Sequence, residues 1–266
     1  IEGFEKNADG NYYLTAEYNT VVRLPALYSV SPAYTFGGYY LEADYSGKPL
    51  EVSLASDYEI TLDKDIIYYV RWQGKKVNVT YRSDLDFSAG LTHKVYDEDG
   101  NAVEFYYQQS LVYGANNNLS QFAMEDKTLF GWFMSEGDGY VIAETAEALL
   151  NKLEYSLEGV DEIDVTLWAV WIDSAVKGEI TEVTAKKGFI NTTWDIKGYV
   201  SSPISGKSAE IASAAGINID IQVKYGVSKS GTSMDADLNW NKWEGVYADG
   251  SFEKNVSSTN GTNKYS

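Results

Sequence analysis

Apolar residues two apart mark two strand-like runs in this chain. Ile66, Tyr68, Val70 and Trp72 form one row, and Val165, Leu167, Ala169 and Trp171 form another. Alternation of this kind places each row on one face of a β-strand. Each run is preceded by a similar aromatic-glycine segment: Tyr34-Thr35-Phe36-Gly37-Gly38-Tyr39-Tyr40 before the first, Thr128-Leu129-Phe130-Gly131-Trp132-Phe133 before the second. Gly38 aligns with Gly131 at an offset of 93, and Trp72 with Trp171 at 99, so the second copy is the longer. Tyr18, Leu24 and Leu27 correspond to Tyr113, Leu119 and Phe122. Further upstream, Ala8-Asp9-Gly10-Asn11 and Glu98-Asp99-Gly100-Asn101 both carry the Asp-Gly signal of a β-hairpin. A period this long predicts tandem domains with separate cores. The matched tryptophans, Trp72 and Trp171, are expected to be core residues.

One segment switches period. Ala146, Leu149, Leu150 and Leu153 fall at i, i+3, i+4 and i+7, one apolar stripe of a helix. Glu144 and Glu147 near its start and Lys152 near its end suit the helix dipole. The stripe predicts one short helix, within 143–153, packed on the sheet of the second copy. Beyond residue 172 the pattern changes to Ser, Thr, Gly, Asn and Lys with strand candidates at 180–185, 190–200, 217–225 and 234–243. The segment 208–215 reads as one helical turn or two, ended by Gly216. The expected fold class is mainly β or α+β: modules at 1–73 and 75–172, then a small β-rich domain at 173–266 with a frayed end.

Charge and composition narrow the function. The 266 residues carry a formal charge of −18, with 21 Lys and Arg scattered along the chain. Nucleic acid is therefore an unexpected partner, because phosphate binding needs clustered cations. No apolar run is long enough to span a bilayer, so membrane insertion is not expected. Zero cysteines exclude disulfides, thiol nucleophiles and thiolate metal sites. Tyrosine, at 22 residues against 9 phenylalanines, suits half-buried sheets whose rings pack inward while hydroxyls meet water. The chain opens at Ile1 inside a strand-like run and reads as a piece of a longer precursor.

The repeated motif resembles a known family. Aromatic-x-Phe-x-Gly-Trp-Tyr, followed by Asp-(Ile/Val)-Thr-Leu-Tyr-Ala-x-Trp, is the pattern of the internalin-type B repeat, or Listeria–Bacteroides repeat. It is matched here by residues 34–40 with Asp65 to Trp72, and more fully by 129–133 with Asp164 to Trp171. Tyr113-Gly114 matches the Tyr-Gly before the family's middle loop. The resemblance covers residues 1–172. It implies β-grasp-like modules on bacterial cell-surface or secreted proteins, acting as spacers or adhesive modules.

Candidate chemistry is sparse. His93 is the only histidine, with no Gly-x-Ser-x-Gly elbow nearby, and reads as an ordinary strand or surface residue. Asp97-Glu98-Asp99-Gly100-Asn101 carries calcium-type carboxylates, but Gln108 stands where an EF-hand loop needs its distal glutamate. A hairpin turn is the plainer reading. Asp235, Asp237, Asn239 and Asn241 alternate and would line one strand face, a candidate for a cation or sugar hydroxyls beside a solvated-face reading. Trp240 and Trp243, three apart, point to opposite faces of a regular strand. No catalytic, cofactor-binding or metal-binding residue is assigned, and no cofactor is expected.

The sequence thus suggests a non-catalytic extracellular module, on a bacterial surface or secreted, acting as spacer or adhesin toward a surface protein or glycan. The alternative is a carbohydrate-binding or accessory region of a secreted polysaccharide-degrading enzyme.

Overall fold

A computed structural model describes residues 3–51, 58–88, 91–188, 191–219, 221–223, 226–229, 239–240, 244–245, 247, 250–259 and 263–265. The fold is mainly β, 48% strand against 10% helix, in several sheets. The chain groups into two compact units that are not sequential. One comprises Ile1–Thr80, Gln108–Ser120 and Glu144–Val165; the other comprises Tyr81–Tyr107, Gln121–Ala143 and Thr166–Ser266.

In the first unit, β1 (Glu5–Lys6) and β2 (Tyr12–Tyr13) form a hairpin, and β3 (Thr20–Leu24) pairs with β5 (Tyr58–Leu62). β4 (Tyr34–Tyr40) pairs with β6 (Tyr69–Gly74). Val22, Leu24, Tyr39 and Tyr58 form the buried centre, flanked by Phe36, Tyr68 and Val70. Its rings meet edge to face, Phe36–Tyr39 at 5.0 Å and Tyr39–Tyr58 at 5.3 Å, a geometry the aromatic quadrupole favours. Helix α1 (Ala146–Leu153) belongs to the same unit. Thr145 caps it by accepting a hydrogen bond from the Ala148 amide at 3.0 Å. Ala146, Leu149 and Leu150 of the expected stripe are buried.

A six-stranded sheet has the order β11–β10–β12–β7–β9–β8. Its members are β7 (Lys76–Ser83), β8 (His93–Tyr96), β9 (Ala102–Val112), β10 (Lys127–Glu136), β11 (Gly139–Ala143) and β12 (Glu162–Asp173). β6 ends at Gly74 and β7 starts at Lys76, in different sheets. Within the second unit, Trp132 is buried among Tyr81, Phe87 and Phe122, with ring centroids 4.6–6.0 Å away. Phe133 and Val170 are also buried, and they meet Ile211 and Ala212 of α2 (Gly206–Ala214). This helix, expected in a separate third domain, therefore shares a core with β10 and β12. Apolar Phe133 and Val170 require a cover on their side of the ribbon, and the helix supplies it. The Asp84 carboxylate accepts from the Lys207 amide at 2.9 Å and so caps α2 from outside, since Ser205 makes no side-chain cap.

The two copies agree in detail. Asn7 Oδ1 accepts from the Asn11 amide at 2.9 Å, and Asp97 Oδ1 accepts from the Asn101 amide at 2.8 Å. In both turns the glycine amide bonds back to that first residue's carbonyl at 3.1 Å, with φ of 86° at Gly10 and 83° at Gly100. The ribbons also share register. Phe36 pairs with Trp72 and Tyr39 with Val70; Leu129 pairs with Trp171 and Trp132 with Ala169. Each first strand carries a bulge between those pairs, at Gly37-Gly38 and at Phe130-Gly131.

One expectation is corrected, that Trp72 is a core residue like Trp171. Trp171 is 1% exposed but Trp72 is 40% exposed. The Trp171 indole donates to Ser83 Oγ at 3.0 Å and its backbone amide to Ser208 Oγ at 2.9 Å, which uses both buried serines. Trp72 instead meets Phe36 edge-on at 6.0 Å. Burial alternates through Ile66, Tyr68 and Val70 and then slips at Arg71, opposite the bulge. Likewise Tyr113 is buried while Tyr18 is 74% exposed.

Past β12, β13 (Gly178–Lys187), β14 (Asn191–Val200) and a strand at Ser251–Thr259 form a three-stranded sheet. β13 is an edge strand exposed along its whole length. Short strands occur at Gln222–Val223, Gly226–Lys229, Asn239–Trp240, Glu244–Gly245 and Asn263–Tyr265.

Candidate functional site: a tyrosine-floored cleft

A cleft of about 350 Å³ lies within the first unit, lined by Tyr34, residues 113–117, and Glu147, Leu150 and Asn151 of α1. The floor is aromatic: the Tyr34 and Tyr113 rings stand edge to face, 6.2 Å apart at 70°. The Tyr113 hydroxyl donates to the Leu150 carbonyl, tying the floor to α1. Burial, then Glu154 and Tyr34, push that hydroxyl's pKa up to about 12, so it is a neutral donor at ordinary pH.

The loop after Tyr113 is held open by its own sequence. Gly114 has φ +76°, and a Cβ there would come within 3.2 Å of the Tyr34 hydroxyl. Asn117 fixes the turn. Its amide nitrogen donates to the carbonyls of Val112 at 2.7 Å and Ala115 at 3.0 Å, and its oxygen accepts from the Val112 amide at 3.1 Å. With Asn117 committed, three rim side chains face solvent: Asn116 on the loop, and Glu147 and Asn151 one turn apart on α1. Among the described residues none of the three has a hydrogen-bond partner. They offer a carboxylate acceptor and two amides that both donate and accept.

The sequence marks Tyr113-Gly114 and the apolar stripe of α1, but not this rim. Glu147 and Asn151 are spaced i, i+4 on the polar face of the helix. The spacing was visible; the loop opposite it was not.

The other candidates lie elsewhere. His93 is exposed on β8 and stacks on Tyr106 at 4.9 Å. The Asp97 carboxylate serves its hairpin, and the Asn101 amide foremost holds it below the usual carboxylate pKa. Asp235, Asp237, Asn241 and Trp243 fall outside the described residues, and Asn239 and Trp240 are described only as a short strand. Among the described residues no group of three or more His, Asp or Glu could hold a metal ion, and no helix is long and apolar enough to cross a membrane. Comparison with family models, curated proteins and solved structures finds no match.

Proposed function

We propose that this chain is a non-catalytic extracellular module of a bacterial surface or secreted protein, serving as spacer or adhesin toward a protein or glycan. The observation that carries the reading is the repetition: two copies of one bulged ribbon in the same register, each with the same asparagine- or aspartate-led turn. Repetition of a packing motif multiplies surface without building a reaction centre, and tethered copies gain avidity from weak individual contacts. The exposed edge of β13 adds a place where an extended partner segment could pair. The resemblance to the B-repeat family points the same way.

The cleft favours one second reading, a carbohydrate-binding or accessory region of a secreted polysaccharide-degrading enzyme. A catalytic domain elsewhere in the full gene would select that reading; wall-anchoring signals and further repeats would select the first.

The experiment incubates the purified chain with a panel of plant, bacterial and host polysaccharides and measures reducing ends. No release is expected from any of them. Reducing ends that appear with the chain, and disappear when one carboxylate pair is mutated, would contradict the proposal.

A further inference from the structure

We infer that the cleft floored by Tyr34 and Tyr113 binds a single neutral sugar unit of a glycan. This inference rests on the glycan branch of the proposed function. Size comes first: about 350 Å³ lies at the small end of ligand pockets, which run from roughly 300 to 1,000 Å³. The cleft holds one ring with its substituents rather than a folded peptide.

The chemistry of the walls selects the class. A sugar presents mainly hydroxyls, and each hydroxyl both donates and accepts. The rim matches that mixture. Glu147 only accepts, while Asn116 and Asn151 do both. A lysine or arginine side chain carries donors only; it could satisfy Glu147 and the amide oxygens of Asn116 and Asn151 but would offer no acceptor to their N–H groups. An anionic ligand meets a carboxylate at the rim and a chain of formal charge −18. A neutral polyhydroxylated ligand can answer the acceptors and the donors of the rim together.

The site is also built before any ligand arrives. Three Asn117 hydrogen bonds set the loop, the Tyr113 hydroxyl pins the floor to α1, and Gly114 leaves the Tyr34 ring uncovered by a side chain. Preorganisation lowers the ordering cost of binding, which matters most for a ligand this small.

The test is saturation-transfer NMR on the intact 266-residue chain. The probes are methyl glycosides of glucose, galactose, mannose and N-acetylglucosamine, and a lysine-rich peptide serves as competitor. At least one glycoside is expected to receive saturation. Glu147→Ala and Asn151→Ala should each weaken its binding at least tenfold; the melt should be unchanged in Asn151→Ala, whose side chain is exposed, and only slightly lowered in Glu147→Ala, which also loses a carboxylate from the first turn of α1. Absence of transfer to every glycoside would overturn the inference. So would binding unchanged in both variants, or displacement by the lysine peptide. None of these results touches the non-catalytic reading, which falls only if the chain releases reducing ends.

Discussion

Tyr39 and Tyr113 show how burial assigns a role to a residue type that is common in this chain. Both rings are buried, Tyr39 at 4% exposure and Tyr113 at 7%. Each hydroxyl donates to a backbone carbonyl, Tyr39 to Pro25 at 2.7 Å and Tyr113 to Leu150. Burial foremost, with Tyr58 beside Tyr39 and Glu154 and Tyr34 beside Tyr113, pushes both pKa values from 10.0 to about 12. The unfolded chain therefore releases these two protons near pH 10 while the folded chain keeps them to about 12. The folded state binds more protons in that window, so stability is full below it and falls as pH rises through it. Discounted for partial screening by solvent, the loss is about 1–2 kcal/mol per tyrosine. A denaturation series across the window should show this fall, and Tyr39→Phe and Tyr113→Phe should each flatten it. A stability that stays level from neutral pH to 12 would count against this account of the two hydroxyls.

At the scale of elements, the repeated ribbon separates what the sequence encodes locally from what tertiary cover decides. Strand alternation, the Asp-Gly turns and the i, i+3, i+4, i+7 stripe of α1 are local signals; the turns, the helix and the second alternating row form where those signals lie, while of the first row only Val70 and Trp72 fall within β6. The fate of a matched residue is not local. Trp171 finds Ser83, Ser208 and the Phe87 ring at 6.5 Å, while Trp72, at the same register position, stays 40% exposed. The motif encodes the pairing; the packing comes from distant segments that no alignment of the two copies contains. Trp171→Ala is therefore expected to cost roughly 3–5 kcal/mol, and Trp72→Ala only about 1 kcal/mol, the usual cost at a partly exposed site. Urea unfolding of the two variants checks this, and equal losses would show that exposure does not set the difference. The cleft was half legible for the same reason. Tyr113-Gly114 and the polar face of α1 are visible in sequence, but their meeting depends on the Tyr113–Leu150 hydrogen bond across 37 positions.

At the scale of the molecule, the chain combines a duplicated β-ribbon, a C-terminal sheet with an exposed edge strand, and a formal charge of −18. The C-terminal stretch was the least legible part. Its residues 208–215 announce a helix, yet nothing in them says that Ile211 and Ala212 will cover Phe133 and Val170. Such a combination suits the role we propose, presentation of surface outside the cell. Antibody raised against the purified chain, applied to intact and to lysed cells of the organism that makes it, tests that claim most directly. Labelling of intact cells, abolished by brief external protease treatment, is the predicted result; labelling that appears only after lysis would contradict it.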